Sequence, residues 1–410
     1  MSIREAPLPG GTIRAAVFTA MLAVLPSSLL AQGQERNDAR AEATREEWRL
    51  QHPIVVTSEE MGPRVRFLNL FPMGIVWLDN EPVAAVVKDP KVSPVLMFWK
   101  EHKDRSWAPY AEIPGISFPR VFSIQGKAIG AVGSAGEDVT GGYGNAIHFV
   151  RIQNWKTGRP HVLSPSSEDG TRVTVSTVEV SGDTIFVFLL REARGNPRND
   201  LLFAMSQDGG LSWSDTKKIG DTTMHEDSSH VRALCFSNRH VARFVCEQEG
   251  VFLYRTRDAG KTWKKEPFTV QDDLAATRRL PLGRIISRDG PGVVYLAHNP
   301  TNRREGKYFY TRSSDQGKSW SKGVPITKNM KLDDPSTYVQ VACVGTRIAF
   351  SYMESVGNWS EGEIENHIVV SQDKGKTWAQ EPLNKYYNGV MLFSALSGAP
   401  DGSRLIYNTA

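Results

Sequence analysis

The sequence contains four copies of one eight-residue pattern, Ser/Thr-x-Asp-x-Gly-x-Ser/Thr-Trp. The copies are Ser206–Trp213, Thr256–Trp263, Ser313–Trp320 and Ser371–Trp378. The four aspartates follow one another at intervals of 50, 57 and 58 residues, and a short apolar run typical of a β-strand precedes each copy. A repeat of this length that contains strand signals is typical of a β-propeller. The pattern therefore predicts an all-β propeller.

Each copy has the residue types of a tight turn between two strands. An aspartate accepts hydrogen bonds from nearby N–H groups, and glycine adopts positive φ at little cost. We expect the tryptophan to anchor the turn against its own sheet. These residues are therefore predicted to be structural rather than catalytic. They are Asp208, Trp213, Asp258, Trp263, Asp315, Trp320, Asp373 and Trp378.

Strand signals around the copies predict blades of four antiparallel strands, with each copy between the third and fourth strand. For the second copy, the predicted strands are His230–Phe236, His240–Glu247, Val251–Arg255 and Glu266–Val270. Two degenerate copies, Lys100–Trp107 and Arg151–Gly158, raise the count to six blades. A seventh would combine Val390–Leu396 and Ser403–Thr409 with Pro53–Val56 and Arg64–Leu70. Six or seven blades are thus predicted, and seven fit the spacing slightly better.

The chain is predicted to contain a signal peptide, a linker and one domain. Arg4 and Arg14 precede the apolar stretch Ala15–Ala31, so residues 1–31 have the pattern of a signal peptide and predict a secreted or periplasmic protein. Residues 32–51 are polar and form a linker or short helix, and 52–410 form a single propeller domain. Nothing after residue 31 is long and apolar enough to be a predicted membrane span.

The composition of the chain limits the kinds of ligand and partner that we expect. A formal charge of +4 on 410 residues, without a Lys/Arg block, argues against nucleic acid. Three cysteines are too few for a disulfide framework. Cys235 and Cys246 flank a predicted hairpin turn at Ser237–His240, but counting outward from that turn places Cys235 opposite Ala242. The sequence has no glycine-rich phosphate loop and no dedicated metal-ligand spacing, so we expect no cofactor and no metal. We expect a monomer.

The antiparallel order of strands also predicts which face is functional. First-to-second and third-to-fourth turns must lie on one face, and the remaining connections on the other. The second-to-third connections are predicted to be long and charged: 134–145, 191–200, 298–306 and 353–366. Because scaffolds carry chemistry on longer loops, that face is the candidate functional face.

Several arginines are predicted to converge there, namely Arg120, Arg191, Arg232 and Arg279. A guanidinium matches a carboxylate or sulfate in two-point geometry, and a cluster of them needs an anion nearby. An anionic glycan is therefore the predicted ligand. The alternative is that these arginines pair with acidic residues of the same loops.

The four copies resemble the Asp boxes, or BNR repeats, of sialidases (neuraminidases), over roughly residues 66–385. The resemblance implies a sialidase-like hydrolase in which arginines hold the substrate carboxylate, and the predicted signal peptide makes it a secreted one. It assigns Tyr338 as nucleophile, Asp138 as general acid/base, and Arg120, Arg191 and Arg232 or Arg279 as the clamp. The family's nucleophile-assisting glutamate has no counterpart in Arg172–Ser176, so Glu226 or Glu354 would supply it from another blade.

Two alternatives to hydrolysis stay open. A uronate polysaccharide lyase would also need arginines, with His225, His230, Tyr143 or Tyr338 removing the C5 proton. A non-catalytic propeller that binds glycans or proteins is equally compatible with the fold, because propellers host many functions.

Overall fold

The computed structural model describes most of the chain from Leu70 onwards, and every regular element in the described residues is a β-strand. The described ranges are 70–88, 95–101, 107–135, 146–154, 156–165, 171–192, 198–223, 233–247, 250–269, 283–287, 290–299, 302–328, 330–331, 340–344, 347–356, 363–386, 394–398 and 405–409.

The strands form seven separate antiparallel sheets, numbered here in chain order. Sheet 1 contains β1 (Leu70–Leu78), β2 (Glu81–Lys88), β3 (Val95–Glu101) and β4 (Trp107–Pro114). Sheet 2 contains β5 (Ile116–Ile124), β6 (Ala128–Ala135), β7 (Ala146–Gln153), β8 (Lys156–Thr157) and β9 (His161–Ser164). Sheet 3 contains β10 (Arg172–Ser181), β11 (Thr184–Glu192), β12 (Arg198–Ser206) and β13 (Lys217–Thr223). Sheet 4 contains β14 (Ala233–Cys235), β15 (Val241–Glu247), β16 (Gly250–Thr256) and β17 (Lys264–Pro267).

The remaining sheets repeat this order. Sheet 5 contains β18 (Gly283–Ser287), β19 (Gly290–Asn299), β20 (Asn302–Arg312), β21 (Val324–Pro325) and β22 (Met330–Lys331). Sheet 6 contains β23 (Gln340–Val344), β24 (Arg347–Val356), β25 (Glu363–Ser371) and β26 (Ala379–Tyr386). Sheet 7 contains β27 (Ser394–Gly398) and β28 (Leu405–Thr409).

The first strands of the sheets contact one another in a closed series. The order is β1, β5, β10, β14, β18, β23 and β27, and β27 contacts β1 again. In each sheet the later strands follow outward from this series. Sheets that radiate from a ring of first strands form a β-propeller, as the repeat predicts.

The number of blades stays a prediction of six or seven. Sheet 7 has two strands in the described residues, where the sequence predicts them. Of the segments predicted to complete it, residues 53–56 and 64–69 lie outside the described residues, and Leu70 belongs to β1 instead.

Sheet 3 shows how neighbouring blades share a core. Residues 185–190 of β11 are all fully buried, although strands bury only one face when the other meets solvent. Ile185 and Val187 pack in a cluster with Phe149 of sheet 2, whereas Phe186 packs with Val241 of sheet 4. The unbroken apolar run in this strand therefore reflects burial between two adjacent sheets.

Three of the predicted long connections are wholly or partly hairpin strands. β11 extends to Glu192 and β12 begins at Arg198, with Arg191 paired to Asp200, so the predicted loop 191–200 is too long at both ends. β19 and β20 remain paired at His298–Gly306 and Asn299–Asn302, so the predicted loop 298–306 is wrong. β24 and β25 remain paired out to Val356 and Glu363, so the predicted loop 353–366 shrinks to residues 357–362. Strand ladders are held by backbone hydrogen bonds, and these continue through charged segments in which apolar residues are few.

The four repeat segments form turns between the third and fourth strands with one hydrogen-bond scheme. In the third copy, Ser313 Oγ donates to Asp315 Oδ1 at 2.7 Å, and the same oxygen accepts the Ser319 N–H at 2.9 Å. Ser319 Oγ donates to Asp315 Oδ2 at 2.6 Å, and the Gly317 N–H donates to Ser313 Oγ at 2.7 Å. The other three copies have the same four bonds. Each aspartate thereby satisfies backbone donors that the turn leaves unpaired.

The repeat tryptophans pack differently from the prediction, because they contact the preceding sheet. Trp263 lies with its ring centroid 4.9 Å from Phe203 of β12, and Trp378 lies 5.5 Å from Tyr310 of β20. Trp213 likewise lies 4.8 Å from Phe149. Phe203 and Tyr310 each stand three residues before a repeat segment, and Phe149 stands two residues before the degenerate segment Arg151–Gly158. The tryptophans therefore join consecutive sheets, because the large apolar side chains within reach of each tryptophan belong to the preceding sheet.

The hairpin that contains Cys235 is shifted by one residue from the prediction. Cys235 pairs with Val241, and Leu234 pairs with Ala242, because the turn spans Ser237–His240 with an extra residue beside it. Cys235 is a buried free thiol, and burial raises its pKa to about 11. It is therefore a small core residue.

Candidate functional site

The repeat turns and the first-to-second turns lie on the same face, as predicted. The Gly209 N–H of the first repeat donates to the Asp183 carbonyl of the β10–β11 turn at 2.8 Å. The Ala259 N–H of the second repeat donates to the Arg239 carbonyl of the turn after β14 at 2.9 Å. We call this the repeat face. The second-to-third connections lie on the opposite face, which we call the loop face.

Most of the predicted site residues lie outside the described residues. This applies to Asp138, Tyr338, Glu226, Arg232, Arg279, Tyr143, His225 and His230. The position of these residues at the loop face therefore stays a prediction.

Arg120 lies in the middle of β5, a strand of the inner ring. A β-bulge between Ser117 and Arg120 interrupts the pairing of β5 with β6, and the register resumes at Arg120 and Val132. Ser117 is buried and Arg120 is half-buried. Bulges bend a strand and re-aim side chains, and they are frequent beside functional sites. Arg120 is thus the one predicted clamp residue that the described structure places on an inner strand.

Arg191 lies on β11, the second strand of sheet 3, and its charge is already paired. Arg191 Nε donates to Asp200 Oδ2 at 2.8 Å, and Nη2 contacts the same oxygen. Lys218 Nζ lies 2.7 Å from Asp200 Oδ1 and 2.5 Å from Asp221 Oδ1. These contacts hold the pKa of Asp200 below its usual range, although partial burial acts in the opposite direction. Arg191 would have to share or leave Asp200 to bind a substrate carboxylate.

A buried arginine that sequence reasoning missed joins sheets 3 and 4. Arg243 on β15 is fully buried, and its Nη2 donates to Ser176 Oγ of β10 at 2.6 Å. Its Nη1 also donates to the Phe244 carbonyl. Ser176 is buried at the bulge between Val175 and Thr177. No residue type or spacing around Arg243 distinguishes it from the exposed arginines, so only the packing of the two sheets reveals it.

His148 is a second residue that the sequence did not single out. It lies on β7, opposite Gly133 of β6 and Val162 of β9, and is partly exposed. Burial lowers its pKa, since a low-dielectric environment disfavours the imidazolium form. A neutral imidazole can accept a proton, but β7 is the third strand of its sheet and lies away from the inner ring.

The described part of the chain contains no group of three or more His, Cys, Asp or Glu side chains arranged to hold a metal ion. The same residues include no helix that is long and apolar enough to cross a membrane.

No protein-family model matches this chain, and no curated protein matches it. Among solved structures, it is similar to an alpha-L-arabinanase from Penicillium chrysogenum complexed with arabinobiose, at 9% identity over 97% of this chain and 98% of that one, with a TM-score of 0.41. The phage phi92 endosialidase is 7% identical over 70% of this chain and 65% of that one, with a TM-score of 0.45. The acylaminoacyl peptidase of Pyrococcus horikoshii is 11% identical over 83% and 49%, with a TM-score of 0.46. Likenesses this distant carry no argument about what the chain binds or cleaves.

Proposed function

We propose that this chain is an exported, sialidase-like glycoside hydrolase that acts on a carboxylated glycan at its loop face. The observation that carries the proposal is the closed ring of first strands, because it brings segments from distant parts of the sequence to one rim. We expect the predicted clamp and catalytic residues to lie in segments that begin or end at that rim. The propeller that we propose has seven blades, and its repeat turns are Asp boxes.

The proposed chemistry uses side chains of this chain alone. Tyr338 attacks the anomeric carbon while Glu226 accepts the phenol proton. Asp138 protonates the leaving oxygen and then activates water, which releases the sugar and restores the tyrosine. A neutral nucleophile suits an acidic sugar, because an anionic carboxylate nucleophile would repel it. Arg120, with Arg232 or Arg279, holds the substrate carboxylate.

The position of Arg120 in the fold differs from that of Arg191, which the resemblance to sialidases also assigns to the clamp. Arg120 is on an inner strand, whereas Arg191 is on a second strand and paired with Asp200. We therefore expect Arg120→Ala to lower kcat/KM by about tenfold to a hundredfold, as losing a charge-assisted hydrogen bond does. Arg191→Ala should lower it much less.

The test assays the purified full chain on fluorogenic sialosides and on uronic-acid polymers. Release of sialic acid that is abolished by Tyr338→Phe supports the proposal. Appearance of the ultraviolet absorbance of an unsaturated uronate would instead identify a lyase. Binding of either glycan without turnover would identify a non-catalytic propeller. Sialic acid release that survives Tyr338→Phe would refute the nucleophile assignment.

A further inference from the structure

A concentration of basic side chains lies on the repeat face, away from the proposed catalytic rim. In the described turns of sheets 4, 5 and 6 and at the strand ends beside them, the basic residues include Arg239, Arg257, Lys261, Lys264, Lys265, Arg312, Lys318, Lys322, Lys374 and Lys376. The described acidic residues at the same places are Asp258, Glu266, Asp315 and Asp373. The described part of this face therefore carries a clear excess of positive charge across three adjacent sheets.

The acidic residues in these turns are already occupied. Each repeat aspartate accepts hydrogen bonds from the hydroxyl and backbone N–H groups of its own turn, as Asp315 does from Ser319. Glu266 pairs with the buried guanidinium of Arg255, whose Nε lies 2.8 Å from its Oε2. The carboxylates therefore offer little to the exposed lysines and arginines around them.

Three of the lysines occupy the same position in successive repeats. Lys261, Lys318 and Lys376 each stand directly after the glycine of the repeat pattern, and all three side chains are exposed. The backbone N–H groups of Lys318 and Lys376 donate to Asp315 and Asp373 at 3.0 Å, which holds the base of each side chain in place. The corresponding residue of sheet 3 is the exposed Leu211, so an unbroken run of these lysines on adjacent sheets covers sheets 4 to 6.

We propose that these lysines, with Arg239 and Arg257, form a binding surface for a linear acidic polysaccharide. We call these five residues the basic arc. In the described part of the structure, none of the five side chains forms an ion pair or a hydrogen bond. Positive charges repeated along consecutive blades match a flexible polymer with anionic groups repeated along its length. The surface does not depend on the proposed hydrolase activity, because it lies on the opposite face.

Other anionic partners fit this surface less well. The exposed large apolar residues in the described ranges are Val162, Leu211 and Val324, and none belongs to the basic arc. A surface without apolar anchors is poorly suited to insertion into a membrane. Trp263, Trp320 and Trp378 pack against preceding sheets, so they are not available to stack on nucleobases. Repeated positive charge, without apolar anchors or available aromatic side chains, favours an acidic polysaccharide as the ligand of this surface.

The test measures binding of the full chain to heparin, as a sulfated probe, and to polygalacturonate, as a carboxylated probe, at low and high salt. The triple variant Lys261→Glu, Lys318→Glu and Lys376→Glu should bind both probes at least about tenfold more weakly, and its binding should depend less on salt.

The matched control changes the same total charge on sheet 2. Lys127→Glu, Lys156→Glu and Arg159→Glu replace three exposed basic residues there, and sheet 2 is separated from sheets 4 and 6 in the ring. This variant should bind within about twofold of the native chain, because exposed charges farther apart than a Debye length are largely screened. Equal loss in both variants would show that net charge, and not the basic arc, causes binding.

Two further results would overturn the proposal. One is unchanged binding in the arc variant, and the other is binding to anionic lipid vesicles or DNA without binding to either polysaccharide. Thermal unfolding of each variant shows whether it folds. If the triple Glu variant does not, the variant Lys261→Gln, Lys318→Gln and Lys376→Gln replaces it with the same expected direction.

Discussion

At the scale of single residues, a repeat glycine is required both by its backbone conformation and by the close approach of a neighbouring side chain. Gly375 has a φ of 83°, and a Cβ built there would lie 2.7 Å from Cδ1 of Tyr310 and closer still to Cε1. Gly375→Ala should therefore lower the free energy of unfolding by about 2–4 kcal/mol, from left-handed strain and overpacking together. Urea unfolding of the purified variant measures the loss.

Gly182→Ala supplies the control for that measurement. Gly182 also has a positive φ, 61°, but a Cβ there would have nothing within 4 Å. Only the backbone strain remains, so this variant should lose about 1–2 kcal/mol. Equal losses at the two positions would show that the contact with Tyr310 does not matter.

At the scale of elements, the aromatic pairs couple each sheet to the next. Phe203 of sheet 3 contacts Trp263 of sheet 4 with ring planes 69° apart. A double-mutant cycle with Phe203→Leu and Trp263→Leu should give a coupling free energy of about 0.5–1.5 kcal/mol. A second cycle, with Phe203→Leu and Trp213→Leu in the same sheet, should give no coupling free energy. Coupling in the second cycle and none in the first would show instead that each tryptophan packs on its own sheet.

The environment of His240 predicts that the stability of the protein depends on pH. His240 is buried, stacks on Phe236 and lies 3.1 Å from Arg255 Nη1. Burial, and then the charge of Arg255, lower the pKa of His240 from 6.5 to about 4. The unfolded chain then binds the proton more readily, so stability present above pH 6.5 is lost as the pH falls towards 4.

Denaturation at a series of pH values checks this expectation. His240→Gln cannot gain the proton, so its stability should change less between pH 6.5 and 4 than that of the native chain. The repeat aspartates affect stability at lower pH than His240 does. Turn hydrogen bonds hold the pKa of Asp258 at about 2, and they hold the pKa of Asp208 at the same value although desolvation acts to raise it. Parallel curves for the two proteins above pH 4 would contradict the assignment to His240.

At the scale of the whole molecule, closure of the ring depends on β27. This strand contacts both β23 and β1, which are distant in the sequence. Removing residues 394–410 should lower the urea midpoint and broaden the transition, because the first and sixth sheets lose the neighbour that joins them. Removing Ala410 alone, after β28, should change neither. An unaltered midpoint in the longer truncation would show that closure contributes little.

Much of the architecture was predictable because its signals are local. Eight consecutive residues contain all the donors and acceptors of each repeat turn, so Asp315 and Ser319 could be assigned their roles from spacing. The antiparallel order then placed the repeat face and loop face. The Arg191–Asp200 pair could also have been found by extending the β11–β12 hairpin across its charged end, as its register shows.

The sequence alone thus determined the blade, its strand order and the chemistry of its turns, since these depend on residues close together in the chain. Only the tertiary structure decided that Trp263 packs on Phe203 and that Arg243 is buried against Ser176. Both contacts join different sheets, and their partners are set by how neighbouring blades stack. No local pattern encodes that stacking, because it arises when the ring of first strands closes.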